Sequence, residues 1–128
     1  MGQFIARISA TNDSDVITTP NGGGWLDFVY IAFVSTADVG NRQLELRVLD
    51  AAGTVLYSAA AGAVQAASLT RKYLFQPGVS REAAFVGGGI TVPMPRMYVP
   101  DGGGVQVVDT AAIAAAADDW TATYGWSS

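Results

Sequence analysis

Turn-forming residues interrupt this chain about every ten positions, the spacing expected of a sandwich or barrel made of many short strands. Three runs of three glycines (22–24, 87–89 and 102–104), the Asn-Asp-Ser-Asp segment at 12–15, Ala51-Ala52-Gly53 and Pro77-Gly78 supply the breaks. The segments between them read as strands. Residues 3–9 place Phe4, Ala6 and Ile8 on one face, and residues 43–48 set Leu44, Leu46 and Val48 against Gln43, Glu45 and Arg47. The last segment puts Trp120, Ala122, Tyr124 and Trp126 on one side. From Phe28 to Val34 aromatic or branched residues occupy both faces, which suits a strand in the middle of a packed structure or under another chain. Only the alanine-rich stretch 110–119 has helical composition, and it is too short for more than a turn or two. With no linker, internal repeat or charge block, the expectation is one all-β domain over residues 1–128. Its fold should be a single-domain antiparallel β-sandwich, jelly-roll or Greek-key like, with little helix.

Composition narrows the function. Half the residues are hydrophobic and only 14% are charged, which specifies a folded chain and favours a surface partly hidden against a partner. A net charge of −4 argues against nucleic acid, which needs a basic face. The seven cations are scattered, and only Arg71 and Lys72 are adjacent. The chain contains neither cysteine nor histidine, so disulfides, thiolate metal sites and the commonest general base are ruled out. No apolar run reaches the roughly eighteen residues of a membrane span. The first twelve residues lack a signal-peptide core, so the protein is expected to be made and used without standard export.

The motifs that resemble chemistry do not complete it. Asp13 and Asp15 have the spacing that opens a calcium loop, but Thr18 and Gly24 stand where that loop needs glycine and glutamate. An Asx-rich turn is the better reading. Asp118 and Asp119 are neighbouring carboxylates, yet neighbours on a strand face opposite ways, and a capped turn before the last strand suits them better than acid–base catalysis. No glycine run is followed by the lysine or helix start of a phosphate loop; the single lysine is Lys72. Without histidine, a nucleophilic serine would have to rely on Lys72, and nothing positions such a pair. No catalytic residue, cofactor or metal site is expected, and the chain is read as not an enzyme.

Three segments carry a family resemblance: VGNRQLELRVLDAAGTVLYS, AASLTRKYLFQPG and GITVPMPRMYVPDGGGVQVVDTAAIAAAADDW. Their ordered motifs are Gly40-Asn41-Arg42, Asp50 to Gly53, Tyr73 to Gly78, Pro93 to Pro95, Pro100 to Gly102 and Asp118-Asp119. In this order they resemble a class of small β-rich virion proteins of tailed bacteriophages, over residues 25–121. Each motif is turn chemistry and weak alone. The resemblance implies a virion structural protein with no catalytic or ligand residues. Its implied station is the capsid surface, as a decoration or cement protein made in the host cytoplasm. The implied partners are the major capsid protein and further copies of itself, as a homotrimer, with no nucleic acid and no membrane. A head–tail connector, tail or baseplate component, or a carbohydrate-binding adhesion module using the tryptophans, is the alternative.

Three features stand out as interface candidates: Trp120, Tyr124 and Trp126 near a terminus, the Arg71–Lys72 pair, and Tyr98. Each is also compatible with an ordinary place in the core or at its rim. The stretch 90–109, with Pro93, Pro95 and Pro100 ahead of three glycines, is expected to switch the chain between sheets while denying donors at an edge.

Overall fold

The alternation in segment 43–48 is realised directly. In the computed structural model, which describes residues 3–10, 14–19, 21–62, 64–80, 84–85, 89–111 and 118–127, Leu44, Leu46 and Val48 are buried and the residues between them are half-buried. The described residues form eleven strands and no helix. They are β1 (Gln3–Ala10), β2 (Ser14–Thr18), β3 (Gly24–Val34), β4 (Leu44–Leu49), β5 (Val55–Ala60), β6 (Thr70–Gln76), β7 (Ala84–Phe85), β8 (Gly89–Pro93), β9 (Met97–Val99), β10 (Gly104–Asp109) and β11 (Asp119–Ser127).

Two sheets result. The larger has the order β1-β11-β3-β6-β8-β7, with the short β9 also paired to β3; the smaller has the order β2-β10-β4-β5. Together they make the all-β sandwich expected from the turn spacing. A single core joins them: Leu26, Val29, Ile31 and Phe33 of β3 and the aromatic residues of β11 meet Leu44, Leu46 and Val48 of β4 and Val105 and Val107 of β10. Each large apolar side chain removed from water contributes about 1.5–3 kcal/mol, which makes this shared core the main stabilising feature.

One pairing departs from an all-antiparallel arrangement. β6 and β8 run parallel, with Tyr73 beside Ile90 and Phe75 beside Val92. About a dozen residues connect them, the length a parallel crossover requires, and β7 lies in that connection, antiparallel to β8. The alanine-rich stretch forms a turn at Thr110–Ala111, and its remainder, 112–117, lies outside the described residues.

The stretch 90–109 does change sheets. β8 and β9 belong to the larger sheet and β10 to the smaller. After Pro100 the backbone closes a turn, the Gly103 amide donating to the Pro100 carbonyl at 2.9 Å. At Gly103 the chain passes so close to the Leu49 carbonyl oxygen that a Cβ would collide with it. Close backbone approach, which only a residue without a side chain permits, therefore accounts for the middle glycine of the 102–104 run. Asp50 organises the neighbouring β4–β5 hairpin by accepting from the amides of Ala52 and Thr54.

Candidate functional site

Two features of the folded chain stand out: a buried polar knot that ties three loop segments together, and an outward sheet face on β3.

The knot centres on Arg42, in the loop between β3 and β4. Its side chain is fully buried. Nε donates to Asp118 Oδ2 at 2.9 Å and Nη2 to Asp118 Oδ1 at 3.3 Å, the two-pronged geometry that guanidinium and carboxylate share. Nη1 donates to the carbonyls of Asp38 and Gly40, both at 2.8 Å, and Nη2 to Thr36 Oγ1 at 3.0 Å. The Thr36 amide completes the shell of Asp118 at 2.8 Å. Burial pushes the Asp118 carboxyl upward, but the hydrogen bonds from Arg42 and Thr36 and the charge of Arg42 outweigh it and hold the group below the usual carboxylate range.

Gln65 extends the knot into the third segment. The backbones of Arg42 and Gln65 exchange hydrogen bonds at 2.8 and 2.7 Å in an isolated antiparallel bridge. The buried Gln65 side chain donates to the carbonyls of Phe33 and Leu69 and accepts from the Tyr73 hydroxyl at 2.9 Å. Segments 35–43 and 64–69 and the start of β11 are thus fixed to one another by groups that are costly to bury unless all are satisfied. Around this rigid end Val34, Val39, Val64 and Leu69 are exposed.

The sheet face follows from β3. Val29, Ile31 and Phe33 turn into the core, so Phe28, Tyr30, Ala32 and Val34 turn to the opposite side. The Phe28 ring lies over Gly125, where a Cβ would collide with it. Register then sets Leu74, Tyr30 and Thr123 in one row and Lys72, Ala32 and Thr121 in the next. Every described strand belongs to one of the two sheets, so no further described strand layer covers this face.

The candidates from the sequence take different places. Trp120, Tyr124 and Trp126 are buried members of the core, with Tyr124 and Trp126 stacked at 6.5 Å. They fill the interior, as the core alternative allows, and offer no exposed ring for stacking a sugar. Arg71 and Lys72 part company: Arg71 stands opposite Phe33 on the inner side and donates to the Val64 carbonyl at 2.9 Å, whereas Lys72 stands opposite Ala32 on the outer face. They do not form one positive patch. Tyr98 is exposed; its ring meets Trp25 edge-on at 5.4 Å and its hydroxyl donates to the Gly22 carbonyl. Arg96 sits 4.6 Å from the centre of the Trp25 ring and is itself paired to Asp27 at 2.6 Å, so a sugar stacking there would have to displace it.

Asp118 and Asp119 do face opposite ways, buried and exposed respectively. The ion pair of Asp118 with Arg42 was not expected from the sequence. The signal available was the presence of Arg42 and Asp118 in two of the six motifs. Among the described residues no cluster of acidic side chains could hold a metal ion. Asp13 lies outside the described residues, and Asp15 is a β2 residue paired with Val107. No described helix is long and apolar enough to cross a membrane.

No protein-family model matches the chain, and no curated protein matches it. The family resemblance therefore rests on its motifs alone. Among solved structures, the chain is similar to an agarase, AgWH50C, at 12% identity and a TM-score of 0.45, covering 95% of this chain and 20% of that one. It is similar to a protein of the infectious bursal disease virus Gx strain at 10% identity and a TM-score of 0.41, covering 98% and 33%. A third similarity, at 13% identity and a TM-score of 0.34, is to a Bacillus endospore appendage protein of disulfide-linked pili, covering 98% and 85%. The chain thus spans a fifth of the agarase and a third of the viral chain. At identities and TM-scores this low, no activity or partner comes with the likeness.

Proposed function

We propose that this chain is a structural protein of a virion, a capsid decoration protein that docks on the major capsid protein through the outer face of its larger sheet and stiffens the head. The observation that carries this reading is β3. Its apolar side chains lie on both sides, and the sandwich covers one side of them. The other side offers Tyr30, Ala32 and Val34, with Leu74, Lys72, Thr121 and Thr123 beside them and Asp119 opposite Val34. Such a face gains free energy when a partner of matching shape removes it from water. The sparse charge of the chain and its ordered motifs point the same way. Many copies on a lattice would allow each contact to be modest. The reading assigns the chain no catalytic chemistry, and places it on the capsid surface after synthesis in the host cytoplasm.

The test mixes purified protein with undecorated capsids. Wild type should bind saturably at symmetry-related positions. Ala32→Glu puts a carboxylate in the middle of the face without touching the core, and should weaken binding at least tenfold while leaving the melting temperature nearly unchanged. Absence of wild-type binding, or full binding by A32E, would overturn the reading.

A further inference from the structure

We propose that the outer face of the larger sheet pairs with itself: in the free protein, two copies cover each other's β3 face through reciprocal Lys72–Asp119 ion pairs. Register fixes the pattern. Lys72, Ala32 and Thr121 form one row, and Thr70, Val34 and Asp119 form the next. Lys72 on β6 and Asp119 on β11 therefore share this face, two strands across and one step of two residues along. Strand spacing and rise set them about 12 Å apart, too far for contact within one chain. Among the described residues the ion pairs join Arg42 to Asp118, Arg47 to Glu45 and Arg96 to Asp27, and neither Lys72 nor Asp119 takes part. Asp119 is exposed and Lys72 half-buried, and the β3 residues between them are Ala32 and the exposed Val34.

Charge complementarity selects the occupant. Lys72 stands on one side of a small apolar centre and Asp119 on the other. A second copy is turned over about a twofold axis that lies in the plane of the face and passes between Ala32 and Val34. Each copy's Lys72 then sits on its counterpart's Asp119. The two ion pairs flank the apolar centre, where Ala32 has no bulk to hold the sheets apart. Opposite charges brought together at the edges of a buried patch fix the placement of the two copies and exclude wrong ones. The contact is isologous and closes at two, so for this face a twofold replaces the threefold association implied by the family resemblance. It spans three strands, which makes it weak and reversible. The dimer stands on this charge pattern. Its consequence for docking, that a second copy masks the face until the capsid lattice displaces it, rests on the capsid reading.

The experiment combines a cross-link with a charge swap. Free wild type should sediment as a dimer that dissociates on dilution. Lys72 is the only lysine, so a carbodiimide, which joins an amine to a carboxylate in contact with it, should link Lys72 of one copy to Asp119 of the other. Mass spectrometry of the digested dimer reads that link. Lys72→Glu and Asp119→Lys each set like charges together twice, and each should weaken self-association at least roughly tenfold. An equimolar mixture of K72E and D119K should recover a dimer containing one of each. A monomeric wild type overturns the proposal, as does a dimer that both single variants leave intact or a mixture that stays monomeric. If either variant fails to fold, the absence of the Lys72–Asp119 link in wild type overturns it equally. Capsid binding is measured separately. A dimer that binds no capsid overturns the capsid reading alone, and a monomer that binds capsid overturns this proposal alone.

Discussion

Arg42 and Asp118, 76 positions apart in sequence, meet as a two-pronged ion pair at 2.9 Å with side chains 0% and 3% exposed. The pair joins the loop before β4 to the start of β11, and through Gln65 it reaches the loop before β6. A buried ion pair gives little net stability over a well-packed apolar substitute. Its value here is geometrical: it holds irregular backbone in one arrangement by giving the carbonyls of Asp38 and Gly40 a donor.

Breaking the pair from one side should be severe. Asp118→Asn keeps the shape but leaves the Arg42 charge buried without its counter-ion, and should cost about 3–5 kcal/mol. Arg42→Lys keeps the charge but cannot serve the carboxylate, two carbonyls and a hydroxyl at once, and should cost a comparable amount. Urea unfolding followed by tryptophan fluorescence measures both, since Trp120 follows Asp118 closely in the chain.

Acid should reveal the same pair. The Asp118 carboxyl is held below its ordinary value in the folded chain, so the folded state binds its proton less readily than the unfolded state does. The stability this supplies is fully present above the unfolded value, about 3.9, and disappears as pH falls through the lower folded value. The stability gap between wild type and D118N should therefore be constant near neutrality and narrow in acid. Denaturant titrations at a series of pH values would show this, and a gap independent of pH throughout the acid range would contradict it.

These relationships explain what could be read in advance. Alternation located β4 and β11 and the core residues on them, because one buried face imposes period two on any half-buried strand. Turn chemistry located the β4–β5 hairpin and the sheet change after Pro100, because Asp50 and Gly103 act on backbone within a few residues of themselves. Long-range facts were not legible. Arg42 looks like any loop arginine until the fold brings Asp118 to it, and Trp120 and Trp126 carry the same alternation whether they face a core or a partner. The parallel β6–β8 pairing was hidden for the same reason, since strand order is not written in local pattern. The outer face of β3 was half visible: apolar residues on both sides marked a strand in the middle of a packed structure or under another chain, without deciding between the two.

The glycine at the sheet change offers a local test. Gly103→Ala sets a Cβ against the Leu49 carbonyl, which is backbone and cannot swing away. Gly53→Ala meets no atom within 4 Å and suffers only from its φ of +83°, a penalty of about 1–2 kcal/mol. G103A should therefore lose more stability than G53A, although its substitution adds the same single methyl group. Thermal melts of the two variants compare them directly, and an equal or milder loss in G103A would show that the backbone at Pro100–Gly104 can shift apart.

Substitutions at the aromatic candidates should separate core from surface. Trp126 is buried against Tyr124 in the shared core, so Trp126→Ala should cost about 3–5 kcal/mol. Tyr98 is exposed, and its hydroxyl bonds a carbonyl at the rim, so Tyr98→Phe should cost about 0.5–1.5 kcal/mol. Capsid binding measured on folded protein should survive Tyr98→Phe, because Tyr98 is not among the residues of the central rows of the β3 face. If W126A instead melts like wild type and loses only binding, Trp126 is a contact residue, and the closed core described above is not the state that docks.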